Sequence, residues 1–167
     1  RDLGLNAAFR FNEPYYLPEA FFEAYPHLRG PRVDHPRRSL QKEFAPCFNQ
    51  EETREMYKNM VNKLFENAPE IYTVYFRRMD AVRLVCSAEW LYSGPNGPPD
   101  CKNLNFSDRI LNLVDIFNNG AKQTGHDIDI LMRGMFTDHE VDEIVSHLPD
   151  NCYLQGLGRG NYPPGKG

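Results

Sequence analysis

Apolar positions along this chain recur at two different spacings, and the alternation between them predicts the architecture. Leu5 to Phe11 is short and apolar-rich and runs into Asn12-Glu13-Pro14, where proline stops ladder pairing, so a strand ending at Glu13 is predicted. Pro18 suits the first turn of a short helix carrying Phe21 and Phe22. From Tyr25 to Phe48 prolines and arginines dominate and no period is visible, which predicts a long excursion without regular elements. Asn49, with Glu52 three residues later, resembles a helix start. Met56, Tyr57, Met60, Val61, Leu64 and Phe65 then share one face at helical spacing, up to a stop at Pro69. Ile71 to Phe76 is dense in β-branched and aromatic residues, the composition of a strand.

A second loop is predicted from Arg77 to Asn105, with Gly94-Pro95-Asn96-Gly97-Pro98-Pro99 as its turn-rich centre. Ser107 can cap a helix whose stripe is Ile110, Leu111, Val114, Phe117 and Ala121, and Gly125 follows as its stop. Ile128 to Met132 reads as a strand. Thr137 and Glu140 form a T-x-x-E capping box ahead of Val141, Ile144, Val145 and Leu148, and Cys152 to Gln155 is a fourth strand. Strands alternating with helices imply right-handed crossovers, so the expectation is an α/β fold whose well-formed strands are all parallel. A complete eight-unit barrel takes about 250 residues. The chain is therefore expected to supply about half of a TIM-type (β/α)8 barrel over residues 1–156, followed by a flexible Gly/Pro-rich tail at 157–167.

Composition narrows the function classes. The 167 residues are 41% hydrophobic and 13% aromatic, enough for a real core. A net charge of -4 provides no basic field for a nucleic-acid backbone, so nucleic acid is excluded as the expected partner. No stretch approaches the roughly 20 apolar residues of a membrane helix, and Arg1 to Phe11 lacks the sections of a signal peptide. The chain opens without methionine, which fits an excised segment. Cys47, Cys86, Cys101 and Cys152 contain no CxxC pair, against a zinc ribbon or a thioredoxin-type site. Two readings remain for them: a disulfide or loop metal site joining Cys86 to Cys101, or reduced, partly buried thiols.

Four passages carry a resemblance. They are Glu13-Pro14-Tyr15-Tyr16-Leu17-Pro18-Glu19-Ala20-Phe21-Phe22, Tyr25-Pro26-His27-Leu28-Arg29-Gly30, Val33-Asp34-His35-Pro36-Arg37-Arg38, and Glu89-Trp90-Leu91-Tyr92-Ser93-Gly94-Pro95-Asn96-Gly97-Pro98. In this order they resemble a bacterial family with a glycoside-hydrolase-like (β/α)8 barrel, related in style to α-glucuronidases and β-N-acetylhexosaminidases. One block departs from that family. Where its members carry an Asn-Asp and a small glycine-containing turn, this chain reads Arg77-Arg78-Met79-Asp80-Ala81-Val82-Arg83-Leu84-Val85, in which only Asp80 and Ala81 match; likeness resumes at Cys86. The resemblance implies an oligosaccharide or polysaccharide ligand, O-glycosyl hydrolase chemistry in an intact parent, no cofactor, and a secreted or periplasmic setting.

Active sites of parallel barrels gather at the carboxyl ends of the strands. Glu13, Asp80, Glu89, Arg133 and the Gln155 to Arg159 segment fall there on this reading. Glycoside hydrolysis needs one protonated and one ionised carboxyl group, and Glu13 with Asp80 is the candidate pair; a carboxylate that merely terminates its strand is the competing role for each. Trp90 and Tyr92, with Tyr15 and Tyr16, offer flat apolar faces for sugar rings or, alternatively, packing. Glu89, Asn96 and Arg133 complete the candidate substrate contacts. Arg29, Arg32, Arg37 and Arg38 with His35 form a basic cluster that matches the carboxylate of an acidic sugar or is simply a solvated loop. His126, Asp127 and Asp129 are expected at the far end of the sheet, so no metal is assigned to them. The rival to hydrolysis is a non-catalytic carbohydrate-binding or structural barrel fragment, and missing barrel edges leave self-association open.

Overall fold

The computed structural model of the chain describes residues 4–11, 16–32, 40–77, 104–134 and 138–156. In chain order these form β1 (Ala7–Phe11), β2 (Leu17–Pro18), α1 (Glu19–Ala24), a single 3-10 turn (Pro26–Leu28), β3 (Arg29–Arg32) and β4 (Glu43–Pro46). There follow α2 (Glu51–Asn67), β5 (Ile71–Arg77), α3 (Phe106–Gln123), β6 (Asp129–Gly134), α4 (Asp138–Val145) and β7 (Cys152–Gly156).

The main sheet has the order β1-β5-β6-β7, and every pairing in it is parallel. Strand order follows chain order with no reversal, as in successive units of a (β/α)8 barrel and unlike a doubly wound sheet, whose order reverses at a switch point. The α/β class and the parallel βα units expected from the sequence are therefore present. Right-handed crossovers between such neighbours put the helices on one face. Accordingly α2 packs on α3 and α3 on α4. Val74, Phe76, Ile130, Met132 and Leu154 from the strands join Val61, Phe65, Val114, Phe117 and Ile144 from the helices in one core.

Ladder details explain which side chains reach that core. Ala7 pairs with Ile71 but Ala8 pairs with Thr73, so β5 carries one extra residue, Tyr72, opposite a continuous β1. This bulge lets Ile71 and Val74, three apart, both turn inward, whereas a regular strand would alternate them. Tyr72 is left 54% exposed.

Helix ends differ from the sequence expectation in an instructive way. Gln50 rather than Asn49 occupies the N-cap of α2 and makes no side-chain cap bond. The N-cap of α3 is Asn105, not Ser107; the Ser107 backbone N–H instead donates to Glu143 Oε1 of α4 at 2.9 Å. At the other end of α3 the expected glycine stop is present. Gly125 has φ +77°, its N–H donates to the Lys122 carbonyl and the His126 N–H to that of Ala121, the paired bonds of a Schellman cap. The capping-box Thr137 lies outside the described residues.

Two expectations need correction. The stretch from Tyr25 to Phe48 is not devoid of elements, and the strands are not all parallel: β2, β4 and β3 form a small antiparallel sheet. Its strands are two to four residues long, too short for a period-two pattern to show in sequence. Phe22, Leu28 and Phe44 form its own apolar cluster, with Leu17 and Phe21 against it. Gly30 is required there because a Cβ at this position would run into the Ala45 carbonyl.

Candidate functional site

The carboxyl ends of β1, β5, β6 and β7 lie at one end of the main sheet, since all four strands are parallel. The face of this sheet turned away from the helices carries Arg10, Thr73, Tyr75, Leu131, Arg133, Tyr153 and Gln155, of which Arg10, Arg133 and Tyr153 are exposed and the others half-buried. No described helix covers it.

Register arranges this face in rows. Tyr75 stands between Arg10 and Leu131, and Leu131 is followed by Tyr153 on β7. One step nearer the carboxyl end, Arg133 stands between Arg77 on β5 and Gln155 on β7. Arg133 has no ion pair or hydrogen bond among the described residues. Among the described residues its fork of donors stands unanswered at the rim, beside an amide that both donates and accepts.

The candidate contacts within the described part of the chain are Arg133, at the expected end of the expected strand, Gln155, its neighbour on β7, and Tyr16, 42% exposed just before β2. Glu13, Asp80, Glu89, Trp90, Tyr92 and Asn96 lie outside the described residues, as do Cys86, Cys101, His35, Arg37 and Arg38. Within the basic cluster, the Arg29 guanidinium sits 4.4 Å from the centre of the Phe44 ring, a packing role in the small sheet. Sequence reasoning did not single out Arg10, Tyr75 or Tyr153. Period-two alternation was the available signal: each is one residue out of step with a core position on its own strand.

At the opposite end of the sheet are His126, Asp127 and Asp129, as expected. The His126 ring stacks on Phe65 with centroids 5.6 Å apart, and its Nδ1 is 3.1 Å from Thr124 Oγ1. No group of three His, Cys, Asp or Glu side chains among the described residues is placed to hold a metal ion. Cys47 and Cys152 are both buried. Burial, then the neighbouring Asp115 and Asp129 carboxylates, push the Cys152 thiol up to about 12. It stays protonated and is a packing group rather than a nucleophile. No described helix is long and apolar enough to cross a membrane.

No family model and no curated protein matches the sequence. Among solved structures, the chain is similar to part of a GH36 alpha-galactosidase. The matches are variants of the Geobacillus stearothermophilus enzyme in complex with 1-deoxygalactonojirimycin, stachyose and raffinose, with TM-scores of 0.45, 0.45 and 0.44 and 14% identity in each case. Each alignment covers 80% of this chain and 17% of the other.

Proposed function

We propose that this chain is part of a carbohydrate-active, glycoside-hydrolase-like barrel that takes a saccharide at the carboxyl ends of its parallel strands. The observation that carries the reading is the pair of Arg133 and Gln155 side by side at that end, on the face that no described helix covers. Arg133 and Gln155 bind ligand oxygens there, and Glu89, Trp90, Tyr92 and Asn96 supply further polar and stacking contacts from the segment that follows β5. The Arg133 guanidinium favours an acidic sugar, whose carboxylate accepts two parallel hydrogen bonds from it. β1 and β7, the two edges of the sheet, offer backbone groups for pairing with further strands or with a second copy of the chain.

Catalysis is assigned to Glu13 and Asp80. Glu13 follows the end of β1 by two residues and Asp80 the end of β5 by three, and these strands are neighbours. One carboxyl group, protonated, gives its proton to the leaving glycosidic oxygen. The other, ionised, either attacks the anomeric carbon or takes a proton from the attacking water. A carboxyl separation of about 5 Å corresponds to retention and one of about 6.5–9.5 Å to inversion.

Turnover across neutral and acidic oligosaccharides, measured for the wild type and for Glu13→Gln and Asp80→Asn, tests this assignment. Loss of about a hundredfold to ten-thousandfold with unchanged melting is expected. Unchanged turnover in a folded Glu13→Gln protein removes Glu13 from the mechanism, and saccharide binding without any wild-type turnover assigns the non-catalytic role.

A further inference from the structure

We propose a second saccharide site at the opposite, amino-terminal end of the parallel sheet, selective for uncharged sugar chains. A cleft of about 540 Å³ lies there between the starts of β5, β6 and β7 and the last turns of α3. That volume is ordinary for a small-ligand site. The bulge in β5 directs the extra residue, Tyr72, to the wall of this cleft, 54% exposed, rather than into the core or along the ladder. The bulge turns Ile71 and Val74 into the core and leaves the Tyr72 ring outside that cluster, on the cleft wall.

Amides also line the cleft, and two of them, Asn118 and Asn151, are held by hydrogen bonds. Asn151 Nδ2 donates to Asn118 Oδ1 at 2.8 Å and to the Ile128 carbonyl at 2.6 Å. Both its donors are used, so the side chain is fixed. Asn118 keeps its own Nδ2 donors without a partner among the described residues, and Asn6 and Asn119 line the same space. Fixed amides offer donors and acceptors together, which matches hydroxyl groups, since these also do both. An exposed phenol ring supplies the flat apolar surface for a pyranose face.

Charge selects within the saccharides. The charged side chains of the wall are Asp115, Asp127 and Asp129 against Lys122, so an acidic sugar is repelled here while Arg133 at the other end attracts one. Asp115, Asn119 and Lys122 also line a second hollow of about 580 Å³ between α2 and α3.

The site is independent of the catalytic proposal and is tested separately from it. Cellohexaose, xylohexaose and mannohexaose are titrated into the 167-residue chain by calorimetry, with oligogalacturonate and spermidine as charged probes. Saturable binding of at least one neutral hexaose is expected, weakened tenfold or more by Tyr72→Ala and kept by Tyr72→Trp. Asn118→Ala provides a second lesion should Tyr72→Ala fail to fold, and it is expected to weaken binding likewise. The proposal is overturned by the absence of neutral-hexaose binding, by binding indifferent to both Tyr72→Ala and Asn118→Ala, or by spermidine binding alone. Loss of binding on Arg133→Ala with Tyr72→Ala neutral would place the sugar at the carboxyl-end rim instead.

Discussion

The backbone N–H of Ser107 in the first turn of α3 donates to Glu143 Oε1 of α4 at 2.9 Å, so one helix is capped by a side chain from the next. A carboxylate here satisfies one of the donors that a helix start leaves unpaired and also faces the positive end of the helix dipole. Replacing Glu143 by Ala is expected to lower stability by about 0.5–2 kcal/mol, the range for losing an N-cap. Urea unfolding followed by circular dichroism measures this, and an unchanged midpoint would show that the bond contributes nothing.

At Gly120, α3 packs tightly on Val61 of α2. A Cβ there would lie 2.5 Å from Val61 Cγ1 and 3.0 Å from Val61 Cβ, both buried. Gly120→Ala is therefore expected to destabilise by about 1–3 kcal/mol through overpacking, despite the better helix propensity of alanine. Val61→Ala in the same chain makes room, so the double variant should lose less than the sum of the two single losses. Strict additivity would mean that the helices do not meet at this point.

The parallel sheet was legible because Ile71–Phe76, Ile128–Met132 and Cys152–Gln155 alternate with long helices whose stripes, such as Val114, Phe117 and Ala121, have a clear 3.6 period. The small antiparallel sheet was not legible. β3 is Arg-Gly-Pro-Arg, a sequence with no strand signature, and it pairs only because Phe44 and Leu28 have a cluster to join. The capping of α3 was misassigned for a similar reason: Glu143 is 36 residues away from Ser107, and local motifs cannot report a tertiary cap. For the candidate site, Arg133 was placed at its strand end by the sequence pattern alone. Tyr75 and Tyr153 were passed over because a tyrosine within a strand reads as core until the register shows which face it takes.

Cys152 gives a pH prediction whose sign follows from its protonation. Its folded thiol is raised from 9.0 to about 12, so between these values the unfolded thiol ionises while the folded one does not. Unfolding then releases a proton, and the Cys152 contribution to stability, complete below about pH 9, is lost as pH rises toward 12. Cys152→Ala should flatten that part of the stability profile. In the native chain at neutral pH the same residue should resist iodoacetamide, read by site-resolved mass spectrometry. Rapid native labelling of Cys152 would contradict its burial.

The central claim is a saccharide site at the carboxyl ends of the strands, and amide chemical-shift mapping during a titration with oligogalacturonate tests it most directly. The account predicts saturable shifts concentrated at Arg133, Gly134, Gln155 and Gly156, abolished by Arg133→Ala in a chain that keeps its melting temperature. No shifts with oligogalacturonate or with neutral oligosaccharides at those four residues, or shifts there that survive Arg133→Ala unchanged, would contradict it.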